Sequence, residues 1–260
     1  MIDIQNTRGN YGKKIDKVGI NNLIHPIRIQ GKNNEIQNTV GNFSLSVSLA
    51  QELRGVNMSR LPIVLTELYE ENFVFKNYRE DLLYFLNEIK NKVEGEDSYI
   101  SVCFDYFLYK KAPVSGFSGL MNYKCNFEGE LKEDKYSYFL TVEVPITTLC
   151  PCSKAISISS AHNQRGYVTV RAELSENIEI EEFINIIEQA GSCDLYPILK
   201  REDEKYVTEK SYDNPRFVED IVRIVADGLC EVDNVVSFNV KSVHEESIHA
   251  HNAFAEISYK

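Results

Sequence analysis

Apolar and polar residues alternate along several stretches of the first half of the chain, and helical spacing of apolar residues separates them. Alternation at every second position predicts half-buried strands, whereas apolar residues three and four positions apart predict amphipathic helices. In chain order the predicted elements are an extended piece at Ile27–Gln30, a strand at Phe43–Leu49, helices over about Met58–Glu70 and from an Asn77 cap to Gly95, and strands at Ile100–Leu108 and Met121–Phe127.

The second half repeats this order of elements without repeating the sequence. Asn214 followed by Pro215 is typical of a helix start, so a helix that buries residues from Phe217 to Leu229 is predicted to begin there. The other predicted elements are strands at Tyr136–Val144 and Val168–Leu174, a helix near Glu181–Ala190, and strands at Val236–Val240 and Ala253–Tyr259.

The duplicated order predicts an α+β fold built from two similar modules. Consecutive strands joined by short links are normally antiparallel neighbours, so each half predicts a four-stranded antiparallel sheet with two helices on one face. Such a sheet has open edges, and pairing these edges between subunits would close them. The sequence therefore also predicts a homo-oligomer.

Composition and charge narrow the class of protein. A formal net charge of -11 argues against a broad nucleic-acid or anionic-membrane surface, because such partners are bound by positive patches. No apolar run approaches the roughly 18 residues that cross a bilayer, and the opening Met1–Asn10 is polar. With six cysteines and no leader, we expect a cytoplasmic protein whose thiols are free or metal-bound.

The segment Pro145–Gly166 concentrates residues that bind metals. It holds Cys150, Cys152 and His162, and thiolate and imidazole are ligands that a zinc-like ion prefers. Read alone, the Cys-Pro-Cys turn is equally consistent with two small buried hydrophobes. No second cysteine pair completes a zinc-finger pattern, so a metal here would have an incomplete shell with room for chemistry.

A second cluster lies near the C-terminus, where His244–His251 contains three of the five histidines. His249 and His251 point to the same side if the segment is extended, and Glu246 is near enough in sequence to orient an imidazole. These residues form either an acid-base set or a solvated loop that enters the last strand.

Two charged segments have a structural and a chemical interpretation. The run Lys200–Lys205 is by default an exposed turn, but it also offers a carboxylate for a metal and cations for phosphates. Glu219, early in the predicted helix after Asn214, complements the helix dipole or receives the paired N–H donors of a purine edge.

The run VPITTLCPCSKAISISSAHNQRG, with LKREDEKYVTEKSYDNPRFVEDIVR and EESIHAHNAFAEI, resembles the type IB GTP cyclohydrolases, the zinc-dependent alternative form of the first enzyme of folate synthesis. The opening segment and RGVNMSR at Arg54–Arg60 also resemble this family, so the similarity covers essentially the whole chain. The resemblance implies tandem tunnelling-fold (T-fold) modules, residues 1–130 and 131–260, the second carrying most of the active site of a homotetramer.

The resemblance also implies a reaction and a set of site residues. The reaction converts GTP and water to 7,8-dihydroneopterin triphosphate and formate. The implied divalent metal is zinc, with manganese or iron also compatible with the ligand types. By this resemblance the metal ligands are Cys150, His162 and Glu204; the catalytic proton-transfer residues are Cys152, Glu246, His249 and His251; and the substrate-binding residues are Arg165, Lys200, Arg201 and Glu219.

Three alternatives stay open on the sequence. An archaeal-type relative would release the 2′,3′-cyclic phosphate of dihydroneopterin instead of the triphosphate. A non-catalytic purine- or pterin-binding oligomer would use the thiols and histidines to store metal, since fold alone does not determine function. A redox dithiol protein is the least favoured, because Cys-Pro-Cys lacks the Cys-x-x-Cys spacing.

Overall fold

A computed structural model of the chain describes residues 7–9 and 12–260; most of the polar opening segment lies outside these residues. The strands are β1 (Ile15–Gln30), β2 (Ile36–Leu49), β3 (Ser98–Lys111), β4 (Ser118–Lys132), β5 (Lys135–Leu149), β6 (Asn163–Leu174), β7 (Val235–His244) and β8 (Ala253–Tyr259). The α-helices are α1 (Leu61–Glu70), α2 (Tyr78–Val93), α3 (Pro151–Ile156), α4 (Ile180–Ala190), α5 (Arg201–Asp213) and α6 (Val218–Cys230). None of these helices is long and apolar enough to cross a membrane.

The eight strands form one antiparallel sheet in which each strand neighbours the next in the chain, from β1 to β8. The hairpin of β1 and β2 is long, with pairs from Ile15 opposite Leu49 to Gln30 opposite Ile36. Helices occupy the two long intervals of the sequence, between β2 and β3 and between β6 and β7. The predicted α+β class and the antiparallel strand order are confirmed.

Two compact units make up the fold, and each has its own core. Unit 1 comprises residues 1–105, 126–140 and 174–177, as far as they are described, and unit 2 comprises residues 106–125, 141–173 and 178–260. Strands β3, β4 and β5 contribute residues to both units, as does β6 through its last residue, Leu174.

Aromatic side chains form the centre of unit 1. The Phe127 ring is fully buried, with its centroid 4.5 Å from that of Tyr78 and 4.8 Å from that of Phe104. Phe75 stacks on Phe85 at 5.3 Å, which ties helix α2 to this cluster. As predicted, α2 begins after Asn77, whose side chain accepts the Glu80 N–H.

Aliphatic side chains on α4 and α6 form the core of unit 2. The two helices contact each other, and α6 also packs on β7 and β8. Both helices repeat buried apolar residues at helical spacing, the pattern that predicts an amphipathic helix from the sequence. The buried apolar residues of these helices are Ile180, Phe183, Ile184, Ile187, Ala190, Ile221, Val222, Val225, Ala226 and Leu229.

Strand β1 is much longer than the short extended piece predicted at Ile27–Gln30. Its pairing with β2 shifts register between Ile15 and Val18 and again between Ile20 and Leu23. Each irregularity inserts a residue and moves the following side chains to the other face. Alternation in the sequence is broken at these points, so hydrophobic periodicity did not identify the N-terminal part of β1.

The second half of the chain contains two helices that the sequence analysis did not predict. Short α3 follows the Cys-Pro-Cys turn, and α5 covers the charged run interpreted as an exposed turn. Only Asp203 and Ser211 of α5 are buried, so it carries no apolar stripe. The prediction that Asn214 caps the next helix was wrong, because Asn214 ends α5 and α6 begins at Val218.

We expect the aromatic cluster to dominate the stability of unit 1. Phe127→Ala should lower the free energy of unfolding by about 3–5 kcal/mol, because it removes a large ring and leaves a cavity. Tyr109→Ala is the control, since Tyr109 is 75% exposed and its loss should cost below about 0.5 kcal/mol. Denaturant unfolding of both variants measures the difference, and equal effects would contradict the assignment of Phe127 as the centre of the core.

Candidate active site

The Cys-Pro-Cys turn lies where β5 ends and α3 begins. Pro151 occupies the first position of α3, where its missing N–H costs nothing. The Cys150 sulfur accepts the Ser153 N–H at 3.4 Å, and the Cys150 N–H donates to the His162 carbonyl at 3.1 Å. These hydrogen bonds fix Cys150 beside His162. Cys150 is half-buried, whereas Cys152 is exposed.

A row of polar side chains extends from His162 into the protein. His162 Nδ1 lies 2.9 Å from Gln164 Oε1, and Gln164 Nε2 donates to Thr148 Oγ1 at 3.1 Å. Thr148 Oγ1 lies 3.4 Å from His244 Nδ1. The Gln164 oxygen can only accept, so it suits a proton on His162 Nδ1, and a neutral His162 with that proton has its lone pair on Nε2.

His244 is the buried end of this row, with 1% of its surface exposed. Burial lowers the pKa of His244 to about 4, although the charge of Glu219 acts in the opposite direction. Its ring lies against Gly166, where a Cβ atom would come within 2.9 Å of the His244 Cδ2 atom. This contact explains why a glycine ends the Ala-His-Asn-Gln-Arg-Gly run.

The loop between β7 and β8 brings Glu246 to the same place. Glu246 Oε2 lies 3.9 Å from His162 Nδ1, and the neighbouring Glu245 N–H donates to the Arg165 carbonyl at 2.9 Å. The rings of His249 and His251 stack with centroids 5.1 Å apart and planes 19° apart, and both side chains are exposed. The loop thus joins Glu246 to His162 and leaves the two histidines accessible.

The start of α5 is fixed by Asp203, which the sequence analysis did not single out. Its carboxylate accepts from the Val114 N–H, the Ser115 N–H and hydroxyl, and the Lys200 N–H, at 2.6–2.9 Å. Burial acts to raise the pKa of Asp203, but these hydrogen bonds hold it well below its usual value. An acidic residue at the third position of a helix is a recognisable capping signal that could have identified it.

The segment before α6 is fastened beside Cys150. Asn214 donates from its side chain to the carbonyls of Gly191 and Ser192, at 3.1 and 3.2 Å. The Arg216 N–H donates to the Leu149 carbonyl at 3.0 Å, and the Leu149 N–H donates to the Ser192 hydroxyl at 3.0 Å. This anchorage positions the first turn of α6, which carries Glu219.

The remaining predicted site residues are exposed on unit 2: Arg165 on β6, Lys200, Arg201 and Glu204 at the start of α5, and Glu219 on α6. Within residues 7–9 and 12–260, no three His, Cys, Asp or Glu side chains lie close enough together to hold a metal. The structure places His162 beside Cys150 through a backbone hydrogen bond and Glu246 beside His162, but it does not bring Glu204 into a ligand group with Cys150 and His162.

The donor types at this place nevertheless fit a divalent metal. A thiol and an imidazole come from the two ends of the segment between β5 and β6, and these ligand types suit zinc. The Gln164 oxygen on the opposite ring nitrogen of His162 is the kind of outer contact that fixes a metal-binding histidine. The Cys150 and His162 assignments are consistent with this geometry, and Glu204 stays a prediction.

The fold is that of tandem T-fold proteins and is similar to the structure of urate oxidase. The uricase of Arthrobacter globiformis superposes with a TM-score of 0.53 at 7% identity, covering 94% of this chain and 92% of the other. A hyper-thermostable mutant of that uricase gives a TM-score of 0.55 at 6% identity, covering 95% and 92%. At such low identity the likeness concerns the fold alone.

Sequence comparison identifies the family within that class. The family model for type I GTP cyclohydrolase FolE2 matches residues 1–255. The GTP cyclohydrolase FolE2 of Nitrosococcus oceani is 44% identical over 94% of this chain and 89% of its own. That of Magnetococcus marinus is 43% identical over 98% of this chain and 94% of its own. The chain belongs to the GTP cyclohydrolase FolE2 family, whose members are metal-dependent enzymes.

Asp203 should be essential for holding the start of α5. Asp203→Asn replaces one carboxylate oxygen by an NH₂ group, which cannot accept from the four donors around it. We therefore expect Tm to fall by roughly 3–10 °C. Glu202→Gln, an exposed neighbour on the same turn, is the matched control and should leave Tm unchanged. Calorimetry of both variants makes the comparison, and an unchanged Tm for Asp203→Asn would show that these hydrogen bonds are dispensable.

The buried His244 should make the protein less stable in acid. The pKa of His244 is about 4 in the folded protein and 6.5 in the unfolded chain, so the unfolded state takes up the proton first. The contribution of neutral His244 to the free energy of unfolding is complete above pH 6.5 and is lost as pH falls from 6.5 towards 4. Between pH 7 and 5 the loss should be on the order of 2 kcal/mol.

His244→Gln tests this expectation, because glutamine stays neutral throughout this pH range. Denaturant unfolding at pH 7 and pH 5 should give a smaller pH difference for the variant than for the natural protein. Equal pH differences would mean that His244 is not a neutral buried histidine.

Proposed function

We propose that this chain converts GTP and water to 7,8-dihydroneopterin triphosphate and formate, the first step of tetrahydrofolate biosynthesis. Membership in the GTP cyclohydrolase FolE2 family supports the substrate. The single observation that carries the proposal for the site is the fixed pair of Cys150 and His162, with Glu246 beside them.

We propose zinc as the metal, held by Cys150, His162 and Glu204, with manganese or iron as alternatives. The thiol and imidazole favour zinc, and a carboxylate keeps the harder ions compatible. When bound, the metal would act as a Lewis acid for hydrolysis at C8 of guanine, a poor electrophile. Glu204 completes the set by family resemblance, from the first turns of α5.

The protein's own residues would bind the nucleotide at its two ends. Glu219, exposed in the first turn of α6, would accept hydrogen bonds from N1–H and the exocyclic amino group of guanine. Arg165, Lys200 and Arg201 would neutralise the triphosphate in an otherwise acidic protein, since Arg and Lys bind phosphate strongly. The nucleotide would thus lie with its imidazole ring towards Cys150 and His162.

Proton transfer would fall to the remaining site residues. Opening the imidazole ring requires a proton at N7, and loss of formate and rearrangement of the ribose require further transfers. We assign these transfers to Cys152, Glu246, His249 and His251. Glu246 lies 3.9 Å from His162 Nδ1, and the accessible His249 and His251 would exchange protons with the substrate.

We also propose a homotetramer with active sites at subunit interfaces. Strands β1 and β8 end the sheet and carry exposed apolar side chains, of which Ile24 is 60% exposed and Phe254 is 67% exposed. Pairing of such edges between subunits would cover them. We further propose that each subunit has two modules, residues 1–130 and 131–260. We propose a reducing cytoplasm as its location, which is in keeping with the free cysteines.

Reduced, metal-loaded protein should release formate from GTP and give a product that fluoresces after oxidation. Cys150→Ala should lower turnover by more than about 100-fold, because a metal ligand is lost. Glu219→Gln should instead weaken GTP binding. Cys230→Ala changes an exposed cysteine at the end of α6 and should keep full activity.

The product and the metal decide the outcome of this experiment. Mass spectrometry distinguishes the triphosphate from the 2′,3′-cyclic phosphate of the archaeal-type alternative. No turnover by the natural protein with zinc, manganese or iron under anaerobic conditions would overturn the proposed function.

A further inference from the structure

We propose that His244 is a positioning residue of the active site, which holds His162 in its metal-binding tautomer through Thr148 and Gln164. This inference rests on the proposed role of His162 as a metal ligand. It adds three residues to the site, Thr148, Gln164 and His244, and none of them was predicted from the sequence as a functional residue.

The row connects residues that are distant in the chain and buried in unit 2. His244 ends β7, Thr148 lies near the end of β5, and Gln164 lies at the start of β6. Thr148 is fully buried, and Gln164 is 8% exposed. A hydroxyl has one donor and two acceptor positions, so Thr148 can serve the Gln164 amide and the His244 ring together.

The orientation of the Gln164 amide is the step that matters for His162. With its nitrogen on Thr148, Gln164 turns its oxygen to His162 Nδ1, which must then carry the proton. If the amide turned around, its N–H would favour a bare Nδ1, and the proton of His162 would move to Nε2. A protonated Nε2 has no lone pair for a metal.

Glu246 does not replace Gln164 in this role. Its carboxylate is 3.9 Å from His162 Nδ1, beyond hydrogen-bond distance, whereas the Gln164 oxygen is at 2.9 Å. The direct hydrogen-bond acceptor for His162 is therefore Gln164. A Thr148 hydroxyl that donates to His244 keeps the amide nitrogen of Gln164 on Thr148 and its oxygen on His162.

Packing alone does not account for a histidine at position 244. Its Nε2 atom is buried without a hydrogen-bond partner, which costs free energy that an apolar side chain would not. Burial also keeps the ring neutral near pH 7, so Nδ1 can accept from the Thr148 hydroxyl, whose oxygen then accepts from Gln164 Nε2. The hydrogen bond between His244 Nδ1 and Thr148 connects the ring to Gln164 and His162.

Full-length variants test each link of the row. Thr148→Val removes the hydroxyl at nearly constant volume, Thr148→Ser retains it, and His244→Leu removes the imidazole. Thr169→Val is the matched control, because Thr169 lies on β6 outside the row. Circular dichroism establishes that each variant folds before its metal-free form is titrated with Zn²⁺ against a chelator.

We expect Zn²⁺ to bind Thr148→Val and His244→Leu about 10- to 100-fold more weakly, as is typical when an outer contact of a ligand is lost. Thr148→Ser and Thr169→Val should bind as the natural protein does. The double variant should be no weaker than the single ones, because both break the same row. Ring ¹⁵N shifts of His162 in metal-free protein should move from the Nδ1–H towards the Nε2–H tautomer.

The outcomes separate this inference from the proposed function. If the natural protein binds no Zn²⁺, the proposed metal site is wrong, whatever the variants do. If the natural protein binds Zn²⁺ and folded Thr148→Val and His244→Leu bind it equally well with unchanged His162 shifts, His244 is an ordinary core histidine and the inference is overturned.

Discussion

A polar side chain buried between strands must find its partner inside the protein, and this constraint organises the candidate active site. Gln164, Thr148 and His244 have little or no contact with solvent, so their hydrogen bonds are to each other and to His162. When the Thr148 hydroxyl donates to His244 Nδ1, its oxygen accepts from Gln164 Nε2, and the Gln164 oxygen faces His162. In the proposed site, the chemistry available to His162 would thus depend on residues with little access to solvent.

The same constraint positions the helices that carry the other site residues. Asp203 joins the start of α5 to the turn after β3, and Asn214 joins the end of α5 to the segment after α4. Ser192 in turn bonds to the backbone of Leu149, next to Cys150. Each anchor pairs backbone groups of distant segments with one polar side chain. The helix starts that carry candidate site residues are in this way positioned by single polar side chains.

Different features of the sequence determine the fold and the chemistry of this protein. A uricase shares the architecture at 7% identity, whereas relatives at 43–44% identity are named as GTP cyclohydrolases. The alternation of apolar and polar residues is enough to build an antiparallel sheet covered by helices, and many sequences satisfy it. The architecture does not specify a metal site; the candidate thiol and imidazole ligands come from the Cys-Pro-Cys and Ala-His-Asn-Gln-Arg-Gly runs.

The sequence by itself determined the elements whose signal is local. Strands such as β2 and β7 alternate regularly and helices α2, α4 and α6 carry apolar stripes, so their approximate places follow from periodicity. The spacing of the cysteines and histidines also identified them as candidates for metal binding or catalysis. Only the tertiary structure revealed the long irregular β1, the apolar-poor α5 and the true start of α6. It alone joined Thr148 to His244 and Asp203 to Ser115, because these hydrogen bonds connect residues 96 and 88 positions apart. A local pattern carries no record of partners at that distance, since they meet only when the strands pair and the helices pack.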